Sequence, residues 1–385
     1  MAKRNVAVLD FGSNHISVLI GEKSVNDTFT VKGYAKSFYG GFLEGEILEP
    51  ENLEEVLCKT ISTAEGNAHT RITHLYIGAP AEFCICEVCT KAIRFSRRKK
   101  ILERDVQDLF DKANDFYSNP THKVLQTSAI CFELDNGEQV IDAVGCVSSI
   151  LRATISFTLC ERRFLGTVLK AIDKLRIPNI EFVCEPLAEA LHLIEPVKRD
   201  SSAILVDCGY LTTSVSVIVG DGIVFMRSFS LGGGHITKDI AEYLKLPFTV
   251  AEAVEKKLVL TGKPMENENL VIKANSQNIK VDASACYDIA VTKVRQIGKM
   301  IQKCLDGCEI NYLDNAPICL TGGGISYLRG VTSLLEQVLG QKVVIIGPEV
   351  PQMAEPVNSA ILGLLDYALK KNRAESSFWI RIFSN

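Results

Sequence analysis

The chain has 385 residues and a formal net charge of −4, with 47% hydrophobic and 23% charged residues. This length favours two or more domains, and the ordinary composition indicates a globular protein. The slightly acidic charge disfavours a protein whose whole surface binds nucleic acid, so we expect no nucleic-acid partner. No apolar run reaches the ~18 residues that a transmembrane helix needs, and the first residues lack the apolar core of a signal peptide.

The 13 cysteines lie scattered through apolar segments, which is typical of reduced thiols in a cytoplasm. Cys84, Cys86 and Cys89 form the densest group, and the last two have the spacing of a metal clip. No second pair with matching spacing follows, and alternation along a strand explains Cys84 and Cys86 without a metal. The pattern therefore predicts a strand here rather than a zinc site.

Along the first 80 residues, the sequence predicts two strands around a glycine turn over 5–35. Apolar spacing then predicts a helix over 50–68 and a short strand over 72–80. The sequence pattern changes over the next stretch, 81–160, and we interpret this stretch as a small inserted α+β module. Its predicted elements are a strand at 83–93, a helix at 103–117 and strands at 123–134 and 152–160.

The basic cluster RFSRRKK occupies residues 94–100, between the first strand and the helix of this module. We predict a solvated turn for it, because a charge run usually faces water. Contact with anionic lipid or with a neighbouring subunit are the alternatives.

From residue 161 onward, helical and strand patterns alternate, which is typical of an α/β fold. The predicted elements are a helix at 161–175, a strand at 180–185, a helix at 186–194, a strand–turn–strand at 202–229, helices at 235–262 and 284–306, a strand–glycine turn–helix at 317–340 and a closing helix at 356–371.

Two segments share one pattern of apolar strand, Asp-x-Gly, small polar residues and apolar strand. They are AVLDFGSNHISVLIG, which contains Asp10, and ILVDCGYLTTSVSVIVG, which contains Asp207. The repeat predicts a duplicated fold in which the two loops face each other across a cleft. An Asp-x-Gly turn after a strand is also common in ordinary hairpins, so each loop alone is weak evidence of a binding site.

The two loops and a later TGGG turn at 321–324 together favour a nucleotide site. The backbone N–H groups of the first loop could hold phosphates, and the glycines of 321–324 could lie flat against adenosine. Asp10 and Asp207 could hold Mg²⁺ through its waters, because magnesium gives up water reluctantly. The sequence has no GxxxxGK[ST], HExxH or GxSxG motif, which leaves P-loop, zinc-protease and α/β-hydrolase functions unsupported.

With these motifs in order, the chain resembles the actin/Hsp70/sugar-kinase superfamily and, within it, the bacterial cell-division family FtsA. The segment FVCEPLAEALHLI is similar to the family's first connecting helix. FSLGGGHITKDIA is similar to the family segment just after the second phosphate motif, and AEAVEKKLVLTGK to the helix near the ribose. ICLTGGGISYLRGV resembles the adenosine motif, and EPVNSAILGLLDYAL the closing helix. The inserted module lies where FtsA carries its extra subdomain.

The resemblance implies an actin-like ATPase fold, with two duplicated α/β domains around a nucleotide cleft and a small inserted α+β subdomain. The first domain is expected at 1–80, 161–197 and 356–371, and the inserted subdomain, 1C, at 81–160. The second domain is expected at 198–355, with its smaller part at about 236–312. A tail at 372–385 completes the chain.

The resemblance also implies ATP and Mg²⁺ as cofactors. Asp10 and Asp207 are expected at the metal, and Glu185 is expected to position the attacking water, so that Glu185 and Asp207 are the catalytic candidates. The residues expected to bind the nucleotide are Asp10, Gly12, Ser13, Asn14, Gly209, Thr212, Thr213, Gly232, Gly233, Glu252, Lys256, Gly322, Gly323 and Gly324.

Two departures from the family pattern bear on turnover. Tyr210 and Leu211 occupy the second loop where the family has small residues, and a tyrosine there could crowd the phosphate, shift the loop or point away. The lysine expected on the ribose helix comes one position late, as Lys256 behind Glu255, and one residue turns a helix by about 100°. We therefore predict nucleotide binding with slow or absent hydrolysis.

The last residues, SSFWIRIFSN, resemble the amphipathic membrane anchor of the family. Phe378, Trp379, Ile382 and Phe383 fall on one side of a helix, behind basic residues. Packing of this strip against the chain's own domain is the alternative.

The resemblance thus predicts a scaffold on the cytoplasmic side of the cell membrane, at the division septum. Its expected partners are FtsZ, further copies of itself in a polymer, the membrane through the tail and other division proteins through the inserted subdomain. A type IV pilus adaptor of the same fold is the alternative, and a sugar or acid kinase is a further one. A chaperone is disfavoured because no separate peptide-binding domain follows.

Overall fold

The computed structural model describes residues 5–23, 29–43, 45–116, 119–274, 277–308, 313 and 316–374. The chain divides into two compact units. The first unit comprises Met1–Ala203, Ser216–Met226 and Ala360–Asn385, and the second unit comprises Ile204–Val215 and Arg227–Ser359.

The first unit is built on a five-stranded sheet. Its order is β11–β6–β1–β2–β3, with β1 and β2 antiparallel and β1, β6 and β11 parallel. Helices cover both faces of its central strands, which accounts for their continuous apolar sequence. The strands are β1 (Val6–Gly12), β2 (His15–Lys23), β3 (Phe29–Phe38), β6 (His74–Ala79) and β11 (Asn179–Cys184), with the short pair β4 (Phe42–Leu43) and β5 (Glu46–Ile47) beside them.

Close helix packing explains two glycines of this sheet. A Cβ on Gly33 would lie 2.6 Å from the Ala64 carbonyl oxygen of α1, and a Cβ on Gly21 would lie 2.8 Å from the Leu365 side chain of α10. The helices of the first unit are α1 (Pro50–Ala68), α2 (Glu103–Phe116), α3 (Arg162–Ile172), α4 (Glu185–Leu193), α5 (Pro196–Arg199) and α10 (Ser359–Ala374).

The inserted module has its own sheet and its own apolar core. The sheet order is β7–β10–β8–β9, and α2 buries Val106, Leu109, Phe110 and Ala113 in that core. The helix predicted at 103–117 is therefore confirmed. The strands are β7 (Cys84–Lys100), β8 (His122–Glu133), β9 (Gln139–Val140) and β10 (Val147–Glu161).

The turn predicted for the basic cluster is wrong, because β7 continues through 94–100 to Lys100. Within this strand, Arg98 pairs with Asp135 at 3.0 Å, and Lys99 pairs with Asp105 at 2.6 Å. These ion pairs offset part of the positive charge, so the strand face is less basic than the sequence suggests. The metal-clip pair, Cys86 and Cys89, lies three residues apart on one strand, which places the two thiols on opposite faces.

A second five-stranded sheet repeats the topology of the first. Its order is β14–β13–β12–β17–β18, so the strands after each Asp-x-Gly loop occupy equivalent positions in the two sheets. Strand β12 pairs with β17 in parallel, and β17 pairs with β18 in parallel, as β1, β6 and β11 do. The strands are β12 (Ala203–Cys208), β13 (Thr213–Val219), β14 (Gly222–Phe229), β17 (Ile318–Thr321) and β18 (Val343–Ile345).

The single helical stretch predicted at 235–262 is wrong, since two helices and a turn occupy it. Lys245 adopts a left-handed conformation at φ 52°, and Pro247 follows it before the next helix begins. A two-stranded ladder, β15 (Asn269–Ala274) and β16 (Gln277–Asp282), was not predicted. The helices are α6 (Gly234–Leu244), α7 (Phe248–Glu255), α8 (Ala283–Asp306) and α9 (Val331–Leu339). No described helix is both long and apolar enough to cross a membrane.

Candidate functional site

The first loop is a tight hairpin in the first unit. Gly12 pairs with His15, so that Ser13 and Asn14 form a two-residue turn. Asp10 lies buried on β1, two residues before the turn. The short connection fixes the backbone of the turn beside the Asp10 carboxylate, as a phosphate loop with a nearby metal ligand requires.

His15 packs under this turn. Its Nδ1 lies 2.7 Å from Asn14 Oδ1, and a Cβ on Gly12 would come within 2.6 Å of the imidazole ring. Burial and then the charge of Lys36 lower the pKa of His15 to about 4. The ring is therefore neutral at pH 7 and is not a cation for phosphate.

Lys36 is a functional candidate that the sequence motifs do not reveal. Asp10 pairs with Ser17 across β1 and β2, and Ser17 pairs with Lys36 across β2 and β3. Directly paired residues share a face of a sheet. Asp10, Ser17 and Lys36 therefore lie side by side across three strands, with the positively charged Lys36 at one end. Partial burial lowers the pKa of Lys36, and the Asp10 charge raises it. The strand register, once predicted, is the signal that could have identified this lysine.

Glu185 begins α4 in the same unit, and its side chain is buried. A Cβ on Gly78, which lies on β6, would come within 2.7 Å of Glu185 Oε2 and of the Leu364 side chain. Gly78 therefore makes room for the carboxyl group. This enclosure can hold a carboxylate in one orientation, and the predicted role of Glu185 in placing a water molecule stays a prediction.

The second loop, residues 209–212, lies in the second unit and is longer than the first. The Gly209 N–H donates to the Thr212 carbonyl oxygen at 2.8 Å, which closes the loop. The Thr213 hydroxyl is fully buried and donates to the Leu231 carbonyl oxygen at 2.6 Å. The Thr213 hydroxyl thus connects the loop to Leu231, directly before the glycine segment 232–234, and its predicted role in binding stays a prediction.

Three backbone segments of the second unit pack directly on one another. Gly233 N–H donates to the Gly209 carbonyl at 3.0 Å, Gly234 N–H to Tyr210 at 2.7 Å and Gly324 N–H to the Cys208 carbonyl at 2.7 Å. A Cβ on Gly233 would overlap the Gly324 carbonyl oxygen. The glycines predicted to let a nucleotide approach are therefore also required for this backbone packing.

Asp207 also packs closely against the turn 321–324. Gly322 has φ +86°, and a Cβ there would overlap Asp207 Oδ1, while a Cβ on Gly323 would lie 2.6 Å from Val357. Burial raises the pKa of Asp207 to about 6. Asp10 and Asp207 belong to different units, and the described residues contain no cluster of three or more potential metal-binding side chains.

Tyr210 folds back over the start of α6. A Cβ on Gly234 would lie 2.6–2.8 Å from Cζ, Cε1 and Cε2 of the Tyr210 ring, so the outer end of the ring covers this glycine. Burial and then the charges of Glu252 and Glu255 raise the pKa of Tyr210. The hydroxyl end of the ring is therefore close to α7.

The two glutamates of α7 differ in their surroundings. Glu252 is partly exposed and pairs with Lys256 at 2.7 Å. Glu255 is buried and accepts hydrogen bonds from the Thr237 hydroxyl and, at 2.7 Å, from the Tyr327 hydroxyl. Burial raises the pKa of Glu255 to about 7, although both hydrogen bonds oppose this shift. Glu255, a buried glutamate with a raised pKa, thus occupies the position where the family pattern predicts a lysine.

The donors present fit a phosphate-bearing nucleotide in part. The first loop offers a turn, a carboxylate and the Lys36 cation. In the second unit, the Tyr210 ring and internal hydrogen bonds already occupy the glycine segment that would meet the ligand. Gly12, Ser13, Asn14, Thr212 and the other binding residues named from the sequence stay predictions.

The membrane-anchor residues Phe378, Trp379, Ile382 and Phe383 lie outside the described residues. The two lysines at the end of α10 are paired: Lys370 with Asp366 at 2.7 Å and Lys371 with Glu181 at 2.6 Å. Although burial opposes it, hydrogen bonds from His74 and Lys371 lower the pKa of Glu181 to about 2. These ion pairs reduce the positive charge that the two lysines can offer to a lipid surface.

Comparison with known sequences confirms the resemblance to FtsA. The sequence model described as "Cell division protein FtsA" matches residues 204–363. A "Cell division protein FtsA" from Enterococcus faecalis is 23% identical over 97% of this chain and 85% of its own length. The protein of the same description from Bacillus subtilis is 21% identical over 95% of this chain and 84% of its own length.

Comparison with solved structures confirms the actin-like α/β fold. A chain from a "PilM-PilN type IV pilus biogenesis complex" aligns with a TM-score of 0.60 and 19% identity, over 94% of this chain and 98% of its own. "MreB5 of Spiroplasma citri bound to ADP" aligns with a TM-score of 0.59 and 12% identity, over 97% and 99%. The strand orders of the two sheets agree with the duplication that the repeated hairpins predict.

Proposed function

We propose that this chain, a relative of FtsA along nearly its whole length, is an actin-like, ATP-binding cell-division scaffold. It polymerises on the inner face of the cytoplasmic membrane at the division septum and tethers FtsZ there. The observation that carries this proposal is the FtsA similarity over 97% of the chain. That span includes both hairpins, which occupy equivalent places in the two sheets.

For the phosphates, the proposal assigns the turn of the first loop and the Lys36 cation. Asp10 and Asp207 are the carboxylates that would hold Mg²⁺, and Glu185 is the carboxylate that would orient a water molecule. The polymer would change state according to whether MgATP is bound. Hydrolysis is slow or absent, because Tyr210 and the buried Glu255 replace the small residue and the cation of the family pattern.

We assign membrane attachment to the tail at 372–385 and not to Lys370 and Lys371, because these two lysines are already paired with carboxylates of the first unit. One short apolar strip binds a bilayer weakly. A polymer presents many tails at once and raises the avidity without any new contact. The surface of the inserted module, with its own core, is the proposed contact for other division proteins.

The test is co-sedimentation of full-length chain, FtsZ filaments and vesicles that contain anionic phospholipid. We expect FtsZ to sediment with the vesicles only when the chain is present, and a W379E/F383E variant to leave both in solution. A matched variant, R381Q, changes charge without removing the apolar strip and should still bind. If wild-type chain binds vesicles but leaves FtsZ in the supernatant, the division function is wrong, and the pilus adaptor becomes the better hypothesis.

A further inference from the structure

The first unit contains a cavity of about 210 Å³. Its walls come from strand β8 and helices α4 and α10, and include Gln126, Leu187, Leu191, Tyr367, Lys370 and Lys371. We propose that this cavity binds the chain's own tail, with the ring of Trp379 inside it. The inference rests on the proposed membrane function of the tail, because a docked tail is withheld from lipid until a bilayer competes for it.

The first support is a buried donor in the cavity wall. Gln126 is only 5% exposed, and its Oε1 accepts hydrogen bonds from the Thr158 hydroxyl at 2.8 Å and from the Cys184 N–H at 3.1 Å. These two bonds fix the orientation of the amide. Its Nε2 has no hydrogen-bond partner among the described residues. Because a buried donor without an acceptor is costly, the cavity favours an occupant that brings an acceptor.

The Tyr367 hydroxyl lies near the same amide. Burial raises the pKa of Tyr367 to about 12, although the Gln126 amide lowers it, so the phenol is protonated at pH 7. The amide and the phenol do not have the geometry of a hydrogen bond to each other. A peptide segment matches this pair, since its backbone carbonyl can accept from Gln126 and an indole N–H can donate to the Tyr367 oxygen.

The second support is the charge balance around the cavity. Its charged lining residues are already paired with opposite charges at 2.6–2.7 Å: Lys370 with Asp366, Lys371 with Glu181, and Asp221 with Arg199. These pairs leave no excess charge that would call for a charged ligand. Together with the leucine side chains of α4, they favour an apolar, uncharged occupant.

The third support is the volume of the cavity. Sites for small molecules typically enclose about 300–1,000 Å³. The 210 Å³ here is smaller and suits a single large side chain. An aromatic ring gains most from such a site, because it buries a large apolar area at a low cost in conformational entropy.

The tail begins close to the cavity wall that α10 supplies. Tyr367, Lys370 and Lys371 share one face of this helix, which ends at Ala374. The helix rises about 10 Å from Tyr367 to Ala374, and the five residues from Ala374 to Trp379 span up to about 17 Å when extended. A chain that turns back after Ala374 therefore reaches the cavity.

This short connection also lowers the affinity that docking requires. A short tether gives an effective concentration in the millimolar range, so an intrinsic dissociation constant below about 1 mM keeps most tails docked. Docking reduces the apparent affinity of the tail for a membrane by the fraction of molecules in which the tail is free.

The experiment uses the fluorescence of Trp379, which is the only tryptophan in the sequence. The full-length chain without lipid is compared with a synthetic peptide of residues 375–385 in the same buffer. Docking predicts emission at a shorter wavelength than that of the peptide. Because a binding cavity buries about 70–90% of its occupant, we also expect about three- to tenfold weaker quenching by acrylamide.

Two variants fill the cavity from different walls. Ser128→Phe adds a ring from β8, and Leu191→Phe enlarges a side chain of α4. The matched control is Leu193→Phe, which makes the same change on α4 at a residue that does not line the cavity. Thermal unfolding verifies that each variant is folded. We expect peptide-like emission and quenching for the two cavity variants, and wild-type behaviour for the control.

The same proteins are then titrated with vesicles of phosphatidylglycerol and phosphatidylcholine. We expect the two cavity variants to bind more tightly than the wild type, by the factor by which the free fraction of the tail rises. Loss of shielding in the cavity variants, with no vesicle binding by any protein, would support docking and overturn the anchor function.

Two outcomes overturn the docking. Peptide-like emission from the wild-type chain without lipid would show that the tail is not docked, and would leave the anchor function intact. A shielded Trp379 that stays shielded in both folded cavity variants would place the ring elsewhere, such as against a second copy of the chain.

Discussion

The two Asp-x-Gly loops look alike in sequence but differ in structure. In the first, a two-residue turn leaves the loop short, and a row of paired residues brings Lys36 to the side of Asp10. In the second, Tyr210 extends from a longer loop and covers Gly234. The residues that follow the glycine, Ser-Asn in one case and Tyr-Leu in the other, therefore decide how a shared motif is used.

The two regions also differ in charge. The first loop has one lysine near one aspartate, and the adjacent histidine is neutral at pH 7. The second combines Asp207 with Glu252 and Glu255, and the nearby Lys256 is committed to Glu252. If the proposed nucleotide binding holds, the first loop would supply attraction for phosphate, whereas the carboxyl groups near the second would limit it. Five substitutions would break or sharpen this comparison.

The largest effect is expected from Gly233→Ala in the second unit. Its Cβ would overlap the Gly324 carbonyl oxygen, and two backbone segments cannot move apart without losing their hydrogen bonds. We expect a loss of about 3 kcal/mol or more in the free energy of unfolding. Urea denaturation followed by circular dichroism measures it.

The matched change in the first loop is Gly12→Ala. There the Cβ meets the ring of His15, a side chain that can turn away, so we expect a loss of only about 1 kcal/mol. Equal losses for the two variants would show that the second region is no more tightly packed than the first.

The next effect is the pH dependence of Glu255. Its pKa is about 7 in the folded protein and near 4.5 when exposed, so the folded state holds the proton more tightly. Its stabilising contribution is complete below pH 4.5 and is lost as the pH rises through 7. Glu255→Gln keeps a neutral acceptor for Thr237 and Tyr327, and should be about 2 kcal/mol more stable than the wild type at pH 8.

At pH 4.5 the two proteins should have nearly the same free energy of unfolding, because Glu255 is then protonated in the folded state and about half protonated in the unfolded state. Denaturation at the two pH values, with Glu252→Gln as the control on the same helix, isolates the effect. A gain for Glu255→Gln that is equal at pH 4.5 and pH 8 would contradict the assigned pKa. Glu252, Lys256, Tyr210 and Tyr327 are the other charged or titratable groups that interact with the Glu255 carboxyl group, and Glu255→Gln leaves all four in place.

A smaller effect is expected from Lys36→Gln, which removes the cation beside the first loop. A charge-assisted contact to phosphate is typically stronger than a neutral one, so we expect about tenfold weaker ATP binding. Lys32→Gln is the control, since Lys32 lies on the same strand but pairs with Glu22 at 2.8 Å. Calorimetric titration measures both, and equal losses would remove Lys36 from the site.

Much of this architecture follows from the sequence. Apolar spacing predicts α1 and α2, and the repeated hairpins predict the duplicated sheets, because periodicity reports which face is buried. The basic cluster 94–100 could not be recognised as strand, since its strand partner β10 and the ion-pair partner Asp135 come from distant parts of the sequence. The break at Lys245 requires a left-handed residue that the sequence does not mark with glycine.

The candidate site was predictable in its members but not in its contacts. The glycines of 232–234 and 322–324 were found as a set from their motifs, yet their packing on the second loop depends on tertiary structure. Lys36 has no motif, because its place depends on strand register. The Tyr210 substitution is visible in the sequence, but the direction of its ring is not.

The smallest effect is expected from Lys256→Gln, although the family pattern places a functional lysine near this position. Its amino group is exposed on α7 and bonds to Glu252 four residues earlier, a surface pair worth about 0.3–0.5 kcal/mol. We expect a change in ATP affinity within about twofold and a comparably small change in stability, by calorimetry and denaturation of the same samples. A tenfold loss of affinity, equal to that of Lys36→Gln, would mean that Lys256 leaves Glu252 to reach the ligand. The second region would then supply attraction as the first does, and the contrast between the two loops would reduce to the Tyr210 ring alone.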